Sequence, residues 1–386
     1  MEEERPLLLT PGPTMVHRSV REAMAGPQLS HDSPEFLGIL GELPEMVRRV
    51  VRSDSSGVAL VTGSGTLGVE MALSAALSRS DRALVLESGY FGNRLADIAR
   101  RYAGSVDVLS APPGRLVPAE EYRAALESGK YRAVALTHVD TSTGLLWPLE
   151  DLARASRDAG SILVVDGVSS VGGARIEMDR LGVGILVTSS QKCMAAPPGI
   201  AITAVARDVL EQLREPVSLY MDLRKWVEVT ESPGKYLSTP AVNVFVALHR
   251  ALEMVLEEGM EARWARHEGN AAFLRGEMSR RGMRVVAENP SPTVGVFDVG
   301  EAGLDAVELR RRIYESDRIW IGVGVQSNRH RHVRIGHMGN ISREHLGLFL
   351  DALDRAAGGM RRGPRHGMGR SYRRIGPDPC FAPDHF

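Results

Sequence analysis

The sequence predicts an α/β fold: a large domain built on a mostly parallel sheet flanked by helices, followed by a small C-terminal α+β domain. Apolar strand-like runs alternate with helical patterns from about residue 57 to 205, as in parallel strands joined by crossover helices. From about residue 259, a long charged helix precedes several short strand-like runs. A chain of 386 residues with 43% apolar content is long enough to bury both cores.

The large domain is predicted from its alternating runs. Strand-like runs lie at 58–61, 83–87, 105–109, 132–137, 161–165, 184–188 and 199–204, and helical patterns lie at 67–78, 93–102, 119–127 and 149–158. A helix, a loop containing Pro233 and Gly234, and a second helix over about 242–257 complete this domain. Ligands of such sheets sit beyond the carboxyl ends of the strands, so we expect the functional residues to follow strand runs.

The small domain is predicted to contain helices at 259–282, 304–315 and 342–357, and strands at 283–287, 293–298, 318–323 and 332–335. The chain is thereby divided into an N-terminal segment (1–30), the large domain (31–258), the small domain (259–357) and a basic tail (358–386). The tail is rich in Gly, Arg and Pro, so we expect it to be flexible. A nucleic-acid role for its arginines has little support, since no aromatic residues repeat among them.

Charge and composition exclude several classes of partner. The formal net charge of −1 provides no general attraction for nucleic acid or for a membrane surface. No apolar run approaches the roughly 20 residues of a membrane helix, and the acidic start of the chain lacks an apolar signal core, so we expect a cytoplasmic protein. Only Cys193 and Cys380 are present, which excludes a disulfide framework and a cysteine-based zinc site, and no metal is predicted.

One lysine and one aspartate follow strand-like runs and suit a shared chemistry. Lys192 comes shortly after the run 184–188 and precedes a Pro-Pro-Gly turn, and Asp166 ends the run 161–165. An amine can hold an aldehyde carbon as a Schiff base, and a carboxylate can keep a ring nitrogen protonated so that the ring accepts electrons. The pair therefore predicts pyridoxal phosphate as the cofactor.

A glycine-bearing turn supplies a third element. Ser64, Gly65 and Thr66 lie between a strand-like run and a helical pattern, and the free N–H groups of a helix N-terminus favour a phosphate. An alternative remains, because Gly63, Gly65 and Gly68, with Glu87 as the acidic residue, also form a passable nicotinamide-binding pattern. That alternative gives Lys192 and Asp166 no coordinated role.

The chain resembles the class V aminotransferases of the pyridoxal-phosphate fold-type I superfamily, in the branch of alanine–glyoxylate and serine–pyruvate aminotransferases. The resemblance extends over about residues 7–357. It rests on eight ordered segments, which are Leu9-Thr10-Pro11-Gly12-Pro13-Thr14, Gly63-Ser64-Gly65-Thr66, Tyr90-Phe91-Gly92, His138-Val139-Asp140-Thr141-Ser142-Thr143-Gly144, Val165-Asp166-Gly167-Val168-Ser169-Ser170, Ser190-Gln191-Lys192, Tyr236-Leu237-Ser238-Thr239-Pro240 and Val333-Arg334-Ile335-Gly336.

The resemblance implies a role for each matching residue. Lys192 would carry the Schiff base and later move protons, Asp166 would pair with the pyridine nitrogen, Arg334 would grip the substrate α-carboxylate, and Gly12 would line the substrate entrance. The remaining cofactor-binding residues would be Ser64, Gly65, Thr66 and Gln191 at the phosphate, Phe91 and Val168 on the two faces of the ring, Thr141 at its hydroxyl, and Tyr236 and Thr239 reaching the phosphate from the neighbouring subunit. The resemblance thus implies a homodimer with shared active sites, toward which residues 1–30 are directed.

The expected activity is transfer of an amino group from a small amino acid, serine or alanine, to a small 2-oxo acid, glyoxylate or pyruvate. Many relatives carry arginine where this chain has Asp32, and an acid there argues against a phosphorylated substrate. Three alternatives remain open: a lyase on the same scaffold, such as a desulfurase or an aldol-cleaving enzyme, a nicotinamide oxidoreductase, and a non-catalytic binding protein that kept the fold.

Overall fold

A computed structural model of the protein describes residues 6–216 and 218–361. The strands are β1 (Leu7–Leu9), β2 (Gly57–Thr62), β3 (Arg82–Glu87), β4 (Ser105–Ser110), β5 (Ala133–Thr137), β6 (Val139–Asp140), β7 (Leu145–Leu146), β8 (Ile162–Asp166), β9 (Ile185–Ser189), β10 (Ile200–Val205), β11 (Arg284–Val285), β12 (Val294–Asp298), β13 (Ile319–Val323) and β14 (His332–Gly336). The helices are α1 (Arg18–Met24), α2 (Pro34–Val51), α3 (Gly65–Ala76), α4 (Tyr90–Tyr102), α5 (Ala119–Ser128), α6 (Leu149–Asp158), α7 (Met178–Leu181), α8 (Arg207–Gln212), α9 (Leu223–Glu231), α10 (Val242–Glu258), α11 (Met260–Arg280), α12 (Ala306–Asp317) and α13 (Arg343–Arg361).

A seven-stranded sheet with the order β2-β10-β9-β8-β5-β3-β4 forms the centre of the first half of the chain. Its strands are parallel except β10, which pairs antiparallel with both β2 and β9. Every residue of β5, β8 and β9 is buried, as expected for strands covered by helices on both faces. The α2 and α10 helices contribute to the apolar core on one face and α3 and α4 to that on the other, which confirms the predicted fold class.

A second sheet has the order β1-β13-β14-β12-β11 and packs its core against α11, α12 and α13. β1 pairs parallel with β13, whereas the other pairs are antiparallel. The sequence analysis did not identify β1, because a run of three apolar residues is too short for a periodic pattern. The N-terminus of the chain therefore contributes an edge strand to the sheet of the C-terminal half.

Several helix ends differ from the predicted positions by one to four residues. α3 begins at Gly65 and α4 begins at Tyr90, two and three residues before the predicted starts. The first turns were not predicted because they contain Gly65, Gly68 and Gly92, and glycine has a low helix propensity. α13 continues to Arg361, beyond the predicted end at 357. The remainder of the predicted tail, including Cys380, lies outside the described residues. Among the helices of residues 6–216 and 218–361, none has the combined length and apolar character needed to cross a bilayer.

The close approach of Gly336 to the N-terminal segment generates a stability prediction. A Cβ atom at Gly336 would overlap the Thr10 carbonyl, so Gly336→Ala must push the segment after β1 away from β14. We expect a loss of about 1–3 kcal/mol in the free energy of unfolding, measured by denaturant titration. Gly347→Ala is the matched control, since a Cβ there meets nothing within 4 Å and lies within α13, where alanine stabilises by up to about 1 kcal/mol. Equal effects of the two substitutions would contradict this account of the Gly336 contact.

Candidate active site

The carboxyl ends of three neighbouring parallel strands bring polar side chains to one edge of the large sheet. β5 ends at Thr137, β8 ends at Asp166 and β9 ends at Ser189. Thr137 pairs in register with Asp166, and Asp166 pairs with Val187, two residues before the end of β9. The expectation that functional residues follow strand runs is met for these elements, because the parallel register forces their ends to coincide.

Lys192 lies in the turn beyond β9, where its ammonium donates a hydrogen bond to the Pro11 carbonyl. The N-terminal segment fits closely against it: a Cβ at Gly12, whose φ is +125°, would stand 2.5 Å from the Lys192 Nζ. Burial lowers the pKa of Lys192 to about 8, and the charge of Arg334 acts in the same direction. A larger fraction of Lys192 is therefore deprotonated near neutral pH than for an ordinary lysine, which makes it more available as a nucleophile or a base.

The other lysines of the sequence differ sharply from Lys192. They are Lys130, Lys225 and Lys235, and all three are exposed. Lys225 and Lys235 also form ion pairs with Asp222 and Glu228. Lys192 is therefore the one lysine of the chain that is partly buried.

Asp166 is 6% exposed and receives hydrogen bonds from the Val168 amide at 3.1 Å and from the Thr137 hydroxyl at 3.4 Å. Burial raises its pKa, since no ion pair neutralises it within the described residues. The neighbouring His138 amide donates to the Asp166 carbonyl at 2.9 Å, and burial lowers the pKa of the His138 ring to about 4. A buried carboxylate without a counter-ion would favour a ligand with a cationic group.

The N-terminus of α3 provides the features of an anion cradle. Ser64 is the N-cap residue but makes no capping bond through its side chain, so the first amides of the helix are not satisfied by it. A Cβ at Gly65 would come within 2.8 Å of Val168 and 3.1 Å of the Ser189 hydroxyl, so only glycine allows this approach. The Ser189 hydroxyl and the Gln191 side-chain oxygen are buried without a hydrogen-bond partner. The orphaned Ser189 hydroxyl beside a helix N-terminus fits a bound phosphate, whereas the orphaned Gln191 oxygen is an acceptor and needs a donor.

Phe91 lies in the first turn of α4, where the Asp140 carboxylate holds it. Asp140 accepts the amides of Phe91 and Gly92 at 3.0 and 3.2 Å, and it also accepts the Ser142 amide at 2.8 Å. The Arg94 guanidinium lies 4.6 Å from the centre of the Phe91 ring and acts electrostatically on both Lys192 and Asp166. Phe91 therefore stands beside the same site.

Arg334 extends from β14 toward the large sheet. Its Nε donates to the Val323 carbonyl at 2.6 Å and its Nη1 to the Thr141 carbonyl at 3.2 Å. Burial lowers its pKa to about 10, whereas Asp140 opposes that change. In the described part of the chain, Arg334 has carbonyl partners but no carboxylate partner, so the guanidinium can still bind an anion.

Tyr236 and Thr239 lie in the loop between α9 and α10, which reaches the end of β2, where the Ala241 amide donates to the Thr62 hydroxyl at 3.0 Å. Their hydroxyls are 2.9 Å apart, and the Tyr236 ring is 61% exposed and stands 5.1 Å from the His31 ring. Neither makes a hydrogen bond to the N-terminus of α3 within the described residues.

The structure thus brings most of the residues singled out from sequence to one place between the two sheets. These are Gly12, Ser64, Gly65, Thr66, Phe91, Thr141, Asp166, Val168, Gln191, Lys192 and Arg334. Sequence reasoning missed Arg94, Asp140 and Ser189 as functional candidates. None of the three left a clear signal in the sequence, because the amides that Asp140 caps lie in α4 and only the fold brings them to it.

Comparison with known proteins places this geometry in a family. The family model described as aminotransferase class-V matches residues 16–342. An uncharacterized aminotransferase of Methanocaldococcus jannaschii is 34% identical over 86% of this chain and 88% of its own length. An L-aspartate–glyoxylate aminotransferase of Paracoccus denitrificans is 32% identical over 89% of this chain and 88% of its own.

A solved structure of an alanine–glyoxylate aminotransferase from a Nostoc species superimposes with a TM-score of 0.87 at 31% identity, covering 92% of this chain and 96% of that one. The chain belongs to the class V aminotransferase family and is an enzyme of the pyridoxal-phosphate-dependent transaminase type.

Proposed function

We propose that this protein transfers an amino group from a small amino acid, serine or alanine, to a small 2-oxo acid, glyoxylate or pyruvate. The observation that carries the proposal is Lys192, the least exposed lysine, whose pKa is influenced by both the buried Asp166 and Arg334. Relatives named for aspartate–glyoxylate and alanine–glyoxylate transfer support small acids as substrates.

The residues present fit pyridoxal phosphate. When bound, it supplies an aldehyde carbon that holds the substrate amine and a ring that takes up electrons as the Cα proton leaves. Lys192 would hold the aldehyde and then move that proton, for which a pKa of about 8 suits a base working near neutral pH. Asp166 would pair with the protonated ring nitrogen, because its buried carboxylate lacks a counter-ion.

The phosphate and the ring would be held by residues with complementary surfaces. The amides at the α3 N-terminus, with Ser64, Gly65, Thr66 and Gln191, would receive the phosphate, and the orphaned Ser189 hydroxyl would add a donor. Phe91 would cover one ring face and Val168 the other, with Thr141 at the ring hydroxyl. A fixed ring plane matters because the bond that breaks must stand perpendicular to it.

Substrate would enter past Gly12, and Arg334 would bind its α-carboxylate. A guanidinium suits this task because its planar fork can donate two hydrogen bonds to one carboxylate. Gly12 leaves space beside the Lys192 amine that any larger residue would fill. The proposal includes the division of the chain into a large domain (31–258) and a small domain (259–357), with the substrate entrance between them.

The site would be completed in a homodimer. Tyr236 and Thr239 expose their hydroxyls as a pair and do not bind the phosphate cradle of their own chain. A second subunit could place this pair at the neighbouring phosphate. The exposed Leu219 and Tyr220 side chains on the preceding segment are compatible with burial in such an interface.

Two alternatives fit less well. A desulfurase requires a reactive thiolate, but Cys193 is fully buried and its pKa is raised to about 12 by that burial. The nicotinamide pattern requires Glu87 beside the ligand of the Gly65 turn, but the sheet order places β10, β9, β8 and β5 between β2 and the strand that carries Glu87.

Lys192→Ala is expected to abolish transamination, because no second amine is available at the site. Full-length protein should keep its fold by circular dichroism but lose the absorbance of the covalently held cofactor. Lys225→Ala, an exposed helix lysine, is the control and should retain both activity and absorbance. Retained turnover in Lys192→Ala would contradict the assignment.

Arg334→Lys is expected to raise KM for both the amino acid and the oxo acid by roughly 10–100-fold, because lysine keeps the charge but loses the two-pronged geometry. Absorbance of the bound cofactor should not change. Arg331→Lys is the matched control. Arg331 directly precedes β14, and its side chain already pairs with Asp298 and Glu301. If the control raises KM as much as Arg334→Lys does, Arg334 is not the carboxylate anchor.

Shared sites predict complementation between inactive subunits. Mixing Lys192→Ala protein with a Tyr236→Phe, Thr239→Val double variant should restore part of the activity, since a hybrid dimer contains one site with every wild-type group. Subunit exchange is verified by mass labelling. Exchange without any recovery of activity would mean that each site is built from one chain.

A further inference from the structure

One face of α11 buries a stripe of polar side chains. Arg263, Arg266, His267 and Asn270 follow the spacing i, i+3, i+4 and i+7, so they lie on one side of the helix. Arg263 is 2% exposed, His267 0% and Asn270 4%. Charged residues are almost never buried to this extent unless paired, so the stripe needs partners that compensate for lost hydration.

Arg263 contacts the loops that follow two strands of the large sheet. Its Nε donates to the Gly172 carbonyl at 2.8 Å, and its Nη2 donates to the Cys193 carbonyl at 2.5 Å. Gly172 lies in the turns that follow Asp166, and Cys193 adjoins Lys192. One rigid guanidinium therefore spans the two loops that carry these groups.

The next turn of the helix contacts the loop after β14 instead. Arg266 donates to the Gly339 and Ile341 carbonyls at 3.0 and 3.1 Å, and Asn270 donates to the Ile341 carbonyl at 2.9 Å. His267 accepts the Gly339 amide at 3.1 Å on Nε2, so its Nδ1 carries the proton and donates to the Arg263 carbonyl at 2.7 Å. This loop continues directly from the strand that holds Arg334.

Glu258 joins the two arginines electrostatically. Its carboxylate stands 2.6 Å from Arg263 and 2.6 Å from Arg266, and these arginines help to hold its pKa below the ordinary value despite burial. Both arginines therefore share one counter-ion, whereas their carbonyl partners differ. This division allows the two contributions to be separated by substitution.

We propose that Arg263 is a positioning residue for the cofactor end of the site, through the loops of Asp166 and Lys192, and that Arg266 is a positioning residue for the substrate end, through the loop after Arg334. The inference rests on the proposed aminotransferase function. Neither arginine is among the residues proposed to hold the cofactor or the substrate. Each fixes the backbone to which a reacting or binding group is attached, and the spacing between Lys192 and Asp166 must match the distance between the aldehyde and the ring nitrogen of one small molecule.

Arg263→Met and Arg266→Met form a matched pair, because each removes one ion pair with Glu258 and keeps an apolar stem of similar length. Three quantities are measured on the full-length protein: Kd for pyridoxal phosphate, KM for the amino donor, and the midpoint of denaturant unfolding. Arg263→Met should raise the cofactor Kd by about tenfold or more and change the donor KM by less than about threefold. Arg266→Met should instead raise the donor KM by about tenfold or more and change the cofactor Kd by less than about threefold.

A purely structural role predicts no split. If both variants change Kd and KM in parallel, or in proportion to their loss of stability, the proposal is overturned. Arg263→Lys covers the case in which the methionine variant does not fold, because lysine keeps the charge beside Glu258 but cannot bridge two carbonyls. It should still raise the cofactor Kd, and a Kd equal to that of the wild type would overturn the proposal for Arg263.

Failure of the proposed function gives a different result. If wild-type protein binds pyridoxal phosphate but no amino acid bleaches its absorbance, the transaminase proposal fails, and the cofactor Kd of the two methionine variants then decides the inference alone. A Kd raised by Arg263→Met and unchanged by Arg266→Met supports it, and equal values overturn it.

Discussion

The backbone of residues 10–14 couples the two sheets, and the geometry of the site depends on it. The chain leaves β1 in the five-stranded sheet and crosses to the turn beyond β9, where the Pro11 carbonyl accepts the Lys192 bond and the Thr14 amide donates to the Gln191 carbonyl at 3.1 Å. The Thr14 hydroxyl donates to the Met338 carbonyl at 3.1 Å in the loop after β14. Lys192 and the strand of Arg334 keep their separation because this segment is bonded to both.

Burial moves the charged groups of the site toward neutrality from opposite directions. It lowers the pKa of Lys192 to about 8 and that of Arg334 to about 10, and it raises the pKa of Asp166. None of the three is neutralised by a carboxylate or guanidinium partner within the described residues. A ligand that brings an anionic carboxylate and a cationic ring would supply the missing charges. Binding of such a molecule would offset the desolvation free energy of the buried groups.

The sequence predicted the parts of the site that depend on strand ends. Lys192 and Asp166 could be predicted from the sequence because buried parallel strands leave continuous apolar runs. The residues that follow those runs meet at one edge of the sheet. The β6–β7 hairpin could not be predicted from the sequence, since its strands have two residues each. The Asp140 cap could not be predicted either, because the amides that it accepts lie in α4. The α11 stripe was hidden for another reason: its arginines resemble a solvated helix face, and only the tertiary structure shows the carbonyls they bind. The roles of the individual site residues remain a proposal.

The scarcity of lysine affects how such a protein tolerates a reactive aldehyde. Four of its 47 basic residues are lysines, and the rest are arginines, which stay protonated and do not condense with aldehydes at neutral pH. Free pyridoxal phosphate and other cellular carbonyls therefore find few surface amines to modify. The basic residues keep their charge for solubility and ion pairing while offering few amines for Schiff-base formation away from the site.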